Sequence, residues 1–140
     1  MPKRAELRFL LFGLSLFVVC GCSSPKVVET QLPIAQERLL KLGQAYGQYC
    51  TQHKKPPAKP ADLKAILGDA DAFISPDDGQ PFHICWGIDF GKPANPPLVV
   101  AYEKNGRDGR RYVLTTARNV LHMVEPEFRT ANFPPGHHPQ

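Results

Sequence analysis

The sequence lacks the local motifs that identify many enzymes and cofactor-binding proteins. It has no serine nucleophile elbow, no phosphate-binding glycine loop, no dinucleotide-binding glycine pattern and no zinc-type spacing of cysteines and histidines. It also lacks a strong charge of one sign, since 17 basic residues face 13 acidic ones in 140 residues. That balance is not the electrostatic footprint of a nucleic-acid-binding protein. We therefore expect no nucleic-acid partner, no cofactor and no metal, and we predict a protein that is not an enzyme.

The sequence also lacks an apolar run long enough to span a membrane. Its longest such stretch, from Phe9 to Cys20, would cover about 18 Å as a helix, less than the ~30 Å hydrocarbon core of a bilayer. Before this stretch come three basic residues, Lys3, Arg4 and Arg8. After it, residues 23–26 are polar and helix-breaking. This order of charge, short apolar core and small residues is typical of a secretory signal peptide.

The apolar run ends in Val19-Cys20-Gly21-Cys22, which resembles the lipobox of bacterial lipoproteins. In that motif a glycine or alanine precedes a cysteine that is diacylated and becomes the first residue of the mature protein. The resemblance implies lipidation of Cys22, a signal peptide over 1–21 and a tether over 22–32. An ordinary cleaved signal and an uncleaved anchor are the alternatives. Because two acyl chains anchor a protein stably, we expect it in the cell envelope, on the inner or outer membrane facing the periplasm.

The mature chain is expected to form one small α+β domain. Without residues 1–21, 14 of the 17 basic and 12 of the 13 acidic side chains remain, a net charge of +2. Apolar residues at helical spacing predict a long helix from Ile34 to about His53, and Pro60 opens a second, short helix. Alternating patterns and turn signals then predict strands over 82–89, 98–103, 111–116 and 120–124. The predicted domain, residues 33–130, is thus two helices packed on a three-to-four-stranded antiparallel meander, followed by a flexible tail over 131–140.

Two cysteines of the mature chain, Cys50 and Cys85, form the candidate disulfide. Oxidation is plausible in an exported protein, but a bridge needs Cα atoms within about 7 Å and converging Cβ atoms. Strict alternation in 82–89 directs Phe82, Ile84, Trp86 and Ile88 towards the helix and Cys85 away from it. Two separate thiols are therefore favoured, with the Cys50–Cys85 disulfide as the alternative.

Three stretches of the domain together resemble a known family. They are residues 75–82 (SPDDGQPF), residues 101–109 (AYEKNGRDG) and the closing strands around Val113-Leu114 and residues 120–124. The resemblance is to the periplasmic domain of major pseudopilins of type II secretion and related planctomycete proteins. It implies the helix-then-meander order over about residues 34–130. It also implies a calcium loop whose nearest matches are Asn105 and Asp108, although three nearby arginines oppose a dication there.

The chain departs from pseudopilins at its start. Those proteins keep a long hydrophobic assembly helix after a prepilin leader, whereas this chain has the short run that ends at Cys22. A lipid tether in place of that helix argues against a filament subunit. A component of a type II secretion or pilus-like apparatus is therefore the alternative rather than the leading interpretation.

A few residues could carry chemistry. His83, Cys85 and Asp89 share one face of the predicted strand, and His122 could join that face across the meander. Asp69, Asp71, Asp77 and Asp78 do not match the calcium-loop pattern. His137-His138 could bind a transition metal only weakly in an unstructured tail. We therefore expect a lipid-anchored protein with a non-catalytic binding or scaffold role and envelope proteins as partners, with a small envelope enzyme using His83 or His122 as a further alternative.

Overall fold

The longest helix, α1, runs from Ile34 to His53 and supplies most of one side of the domain. The structure is a computed structural model that describes residues 31–139; the predicted signal peptide, Cys22 and most of the tether lie outside them. The helix begins after Pro33, whose carbonyl accepts from Glu37 N at 3.0 Å, and ends at Lys54 in the left-handed conformation. Its buried stripe matches the predicted spacing, and comprises Ala35, Leu39, Leu42, Ala45, Tyr46 and Tyr49. None of the helices within residues 31–139 is both long and apolar enough to cross a bilayer.

A four-stranded antiparallel sheet packs against this helix. Its strands, β1 (His83–Ile84), β2 (Val99–Tyr102), β3 (Arg110–Thr115) and β4 (Val120–Val124), lie side by side in chain order. Helix α2 (Pro60–Leu67) and a 3-10 turn (Ala70–Phe73) precede the sheet, and α3 (Glu125–Arg129) follows it. The α+β class and the antiparallel meander are confirmed.

Gly43 lies where α1 approaches the sheet most closely. A Cβ atom added at Gly43 would be 3.0 Å from Cδ1 of Leu114 on β3, which is tighter than almost all real contacts. At Gly47, one turn later, an added Cβ would lie 3.5 Å from Phe90, a loop residue, which is an ordinary contact. Gly43 therefore allows the helix to pack closely on the sheet.

The predicted strand over 82–89 is wrong beyond Ile84. After Cys85 N donates to Val100 O at 2.7 Å, the chain leaves the sheet. Gly87 adopts a positive φ of 79°, and its N–H donates to Pro57 O at 3.0 Å instead of to a strand. The alternation therefore stops, and Cys85 is fully buried within the same hydrophobic cluster as Tyr46 and Leu42. The positive φ of Gly87 and its hydrogen bond to Pro57 therefore end the strand, although apolar and polar residues continue to alternate in the sequence.

The Tyr46 hydroxyl holds this departing segment in place. It donates to Cys85 O at 3.2 Å and accepts from Ile88 N at 2.9 Å, and its ring is fully buried. We expect Tyr46→Phe to lower the free energy of unfolding by about 1–3 kcal/mol, since both backbone groups lose their partner. Urea unfolding measures this change. Tyr112→Phe, at a half-buried ring on the sheet, is the control and should change stability by less than ~0.5 kcal/mol; equal losses in both variants would contradict the assigned role.

The pairing register divides the sheet side chains between two cores. Ile84, Ala101, Leu114 and Val120 occupy matched positions and pack in the cluster that includes α1. Their neighbours His83, Tyr102, Val113 and Leu121 occupy the opposite, outer face. A second buried cluster forms on that face from Val99, Tyr102, Val113 and Phe128, with Met123, Ala131 and Phe133 against it. Helix α3 and the residues after it, 130–139, which we call the C-terminal segment, thus contribute to covering the outer face of the sheet.

Residues 132–134 of the predicted flexible tail pack against the domain. Val99 N donates to Asn132 O at 2.8 Å, and Asn132 Nδ2 donates to Pro96 O at 2.7 Å. Phe133 packs edge-on against Tyr102, with ring centroids 5.9 Å apart, and Pro134 is buried. These contacts carry the last described residues towards β1.

Candidate functional site

Strand β1, with the residues on either side of it, and the C-terminal segment together form a cleft. It has a volume of about 500 Å³ and is lined by Phe82, His83, Ile84, Trp86, Gly136, His137 and His138. His137 N donates to Pro134 O at 3.0 Å, and this hydrogen bond closes a turn of the chain. The His137 side chain is part of the cleft wall. Local sequence patterns would not place these two segments together, because they lie at least 50 positions apart in the sequence.

Two histidines that line this cleft, His83 and His137, lie close to the buried thiol of Cys85. One nitrogen of His83, one nitrogen of His137 and Sγ of Cys85 all lie within 4.8 Å of one another. Within residues 31–139, this is the one group of three histidine, cysteine or acidic side chains with such a spacing. His83 and His137 are half-buried, and Cys85 is fully buried. The cluster therefore combines two imidazoles at an open cleft with a thiol behind them.

Local structure fixes two of these three residues. His83 pairs with Tyr102 across the β1–β2 ladder, and the two rings stack with centroids 4.8 Å apart. The backbone of Cys85 is held on both sides, by Val100 O through its N–H and by the Tyr46 hydroxyl through its carbonyl. The positions of His83 and Cys85 are thus set by the sheet and by α1.

The electrostatics of the cluster do not favour a nucleophile. Burial raises the pKa of the Cys85 thiol to about 11, so the thiol is protonated near neutral pH. Burial, and secondly the electrostatic effect of His137, lowers the pKa of His83. A catalytic cysteine is activated by an adjacent base or by a lowered pKa, and the pKa of Cys85 moves in the opposite direction.

The structure separates the other predicted partners from His83. His122 on β4 pairs with Tyr112 and stacks on its ring at 4.3 Å. The pairing register aligns His83 on β1 with Leu121 on β4, so the next residue, His122, lies on the opposite face of the sheet. Strands β1 and β4 are also the two edge strands, which are three strand spacings of about 4.8 Å apart. Convergence of His83 with His122 is therefore wrong. Asp89 is also elsewhere, because its Oδ1 accepts from Gly91 N at 2.8 Å in an exposed turn.

Both cysteines of the domain are free thiols. Cys50 is half-buried on α1, and its Sγ lies 3.9 Å from Ile88 O. The two thiols are not joined to each other in this structure. Strict alternation predicted that Cys85 points away from α1, and this is wrong, because Cys85 packs in the cluster beneath that helix.

Acidic side chains of the loop before the sheet have structural partners. Asp69 Oδ1 accepts from Asp71 N at 2.9 Å, and Asp77 pairs with Arg107 at 3.3 Å. Asp78 Oδ2 accepts from Asn105 N at 2.8 Å and from Gly106 N at 3.2 Å. The loop around Asn105, for which the pseudopilin resemblance implied a calcium ion, is thus held by hydrogen bonds from its backbone to Asp78.

The sequence patterns do not indicate that His137 lies beside His83. Prolines and histidines dominate residues 134–139, and this composition predicts an unstructured end that includes His137 and His138. The signal that could have located it is Phe133, an aromatic residue directly before the prolines, which packs on Tyr102 and Phe128. A large apolar side chain in an otherwise polar tail indicates that this part of the tail packs against the domain.

Comparison with known proteins adds no relative to this description. No protein-family model, no curated protein and no solved structure matches the chain.

Proposed function

We propose that this chain is a lipid-anchored cell-envelope protein whose α+β domain has a non-catalytic binding or scaffold role. The observation that carries the anchor is the sequence order of basic residues, short apolar run and Gly21-Cys22. Diacylation of Cys22 would hold the domain at a membrane surface facing the periplasm, through the tether of residues 22–32.

A binding role fits the cleft better than catalysis does. The cleft beside β1 offers two imidazoles and a buried thiol, while the raised pKa of Cys85 argues against a thiolate nucleophile. The enzyme alternative used His83 or His122, and the two histidines lie on opposite faces of the sheet, so they cannot act at one site. Envelope proteins are the partners that a membrane-tethered scaffold would meet.

A component of a type II secretion or pilus-like apparatus is the second candidate. The order of a long helix followed by an antiparallel meander, which the pseudopilin resemblance implied, favours it. Co-purification of pilus-like subunits with the full chain from solubilised membranes would support this candidate, and their absence from such preparations would count against it.

Replacement of the predicted lipid-attachment residue tests the anchor. We expect Cys22→Ser to move the protein from the membrane fraction to the soluble fraction after detergent-free lysis, because a hydroxyl cannot take the thioether-linked lipid. Mass spectrometry of the mature wild-type N-terminus should show a diacylated cysteine. Cys20→Ser, two residues earlier, is the matched control and should remain lipidated and membrane-bound. A Cys22→Ser protein that stays uncleaved at the membrane would refute the lipoprotein assignment.

A further inference from the structure

We propose that His83, Cys85 and His137 form a binding site for a single thiophilic transition-metal ion of the zinc or copper class. The inference specifies a ligand for the binding role proposed above and rests on that role, but it does not depend on the lipid anchor. Its basis is the closeness of the three donor atoms, two of which belong to histidines that line one cleft.

The residue types determine the class of metal. Imidazole nitrogen suits zinc and copper, and thiolate sulfur selects soft or borderline ions over magnesium and calcium. The three residues that converge include no carboxylate, so the site offers nothing that a hard cation prefers. Two imidazoles with one thiolate are a ligand set found for both zinc and copper.

The spacing is close to that of a metal site. With metal–nitrogen bonds of about 2.0–2.1 Å and metal–sulfur bonds of about 2.3 Å, donors around a tetrahedral ion lie roughly 3.3–3.8 Å apart. The three donors lie within 4.8 Å, so binding requires them to approach by about 1 Å. Rotation of the two half-buried imidazoles about their side-chain bonds can supply an adjustment of this size.

The surroundings indicate an accessible rather than a fully enclosed site. Three protein ligands leave a fourth position free on a tetrahedral ion, and His83 and His137 line the open cleft of about 500 Å³. His138 lines the same cleft and is an exposed neighbour of His137. The contacts that position His83 and Cys85, a stacked Tyr102 ring and two backbone hydrogen bonds, serve as outer support for the ligands.

Binding balances as a simple exchange. The Cys85 thiol loses its proton to solvent and forms a metal–sulfur bond, and each neutral imidazole donates a nitrogen lone pair. The ion exchanges three water ligands for the three side chains, and no electron is transferred. Uptake should therefore release one proton per ion from the thiol.

Metal titration of the full chain tests this proposal. The protein is purified in detergent under reducing conditions, stripped with a chelator and titrated with Zn²⁺, with Co²⁺ as a spectroscopic probe and with Cu⁺ in a separate arm. We expect one tightly bound ion per chain in the zinc or the copper arm, and a cobalt–thiolate charge-transfer band. Cys85→Ser should abolish the band, and His83→Ala or His137→Ala should weaken binding by at least about tenfold.

Matched variants distinguish this site from accidental binding. Cys50→Ser removes the other thiol of the domain, and His122→Ala removes an exposed imidazole on the opposite face; neither should change the affinity. Because His137 lies beyond the last helix, His137→Ala should fold even where Cys85→Ser does not, and circular dichroism checks both. The proposal is overturned if no ion binds, if binding survives Cys85→Ser and His137→Ala, or if Cys50→Ser removes the charge-transfer band.

This test is independent of the anchor. A protein that binds the ion but is not lipidated at Cys22 would refute the anchor and retain the site. A lipidated protein without the ion would refute the site and retain the anchor.

Discussion

Replacing Phe128 by alanine is expected to lower the free energy of unfolding by about 3–5 kcal/mol. The ring is fully buried on the outer face of the sheet. Its centroid lies 4.8 Å from that of Tyr102 and 5.3 Å from that of Phe133, both in edge-on geometry. The guanidinium of Arg111 lies 4.1 Å from the ring centroid, which adds a cation–π contact. Alanine would leave a cavity between the sheet, α3 and the C-terminal segment.

A loss of this size would be a large part of the 5–15 kcal/mol that stabilises a typical domain. Urea unfolding followed by circular dichroism measures it, and Phe128→Leu provides a smaller change if the alanine variant does not fold. Leu121→Ala is the control, since Leu121 occupies the same face of the sheet but is 39% exposed. It should cost less than ~1 kcal/mol. If the two alanine variants lose equal stability, the outer cluster is not a second core.

Replacing Glu103 by alanine is expected to cost about 2–3 kcal/mol. The Glu103 side chain is fully buried and accepts two hydrogen bonds, from Ser75 Oγ at 2.5 Å and from Tyr112 N at 2.8 Å. Alanine leaves both donors without this acceptor inside the protein. Ser75→Ala removes the first of these bonds, and also the bond that Ser75 Oγ accepts from Asp77 N at 3.1 Å, but it leaves the bond from Tyr112 N to Glu103 intact. It should cost about 1 kcal/mol, so it is the matched control. Equal costs for the two variants would contradict the assigned network.

The same carboxyl group should make stability depend on pH. Burial raises the pKa of Glu103 above its usual value, against the opposing effect of its two hydrogen bonds. A raised pKa in the folded state means that the unfolded state loses its proton first as pH rises. Glu103 therefore contributes most stability below its unfolded pKa of about 4.3, and the contribution is lost as pH rises through the folded pKa.

Glu103→Gln should remove this dependence. Between pH 4 and pH 7 the wild-type protein should lose more stability than the variant, by about 1.4 kcal/mol for each pH unit that separates the folded from the unfolded pKa. Urea unfolding at several pH values measures the difference. Parallel pH curves for the two proteins would show that Glu103 is not responsible.

The local sequence patterns anticipated the elements well where short-range physics decides. The apolar stripe of α1 has a period that only a helix satisfies, and its bounds at Ile34 and His53 were predicted. Turn residues such as Gly106 and Gly109, both at positive φ, separate β2 from β3 as expected. The strand over 120–124 also lies where its alternation placed it. These features depend on neighbours within one or two turns of chain.

The sequence by itself determined the class of fold and the order of the elements, and it carries the whole argument for the lipid anchor. Only the tertiary structure decided the candidate site. Cys85 became a core residue because Gly87 and Tyr46 draw the chain out of β1. His137 reached His83 because Asn132 and Phe133 fasten the C-terminal segment to the outer face. Such contacts join residues far apart in the chain, and their free energy comes from burying surface that no local pattern specifies.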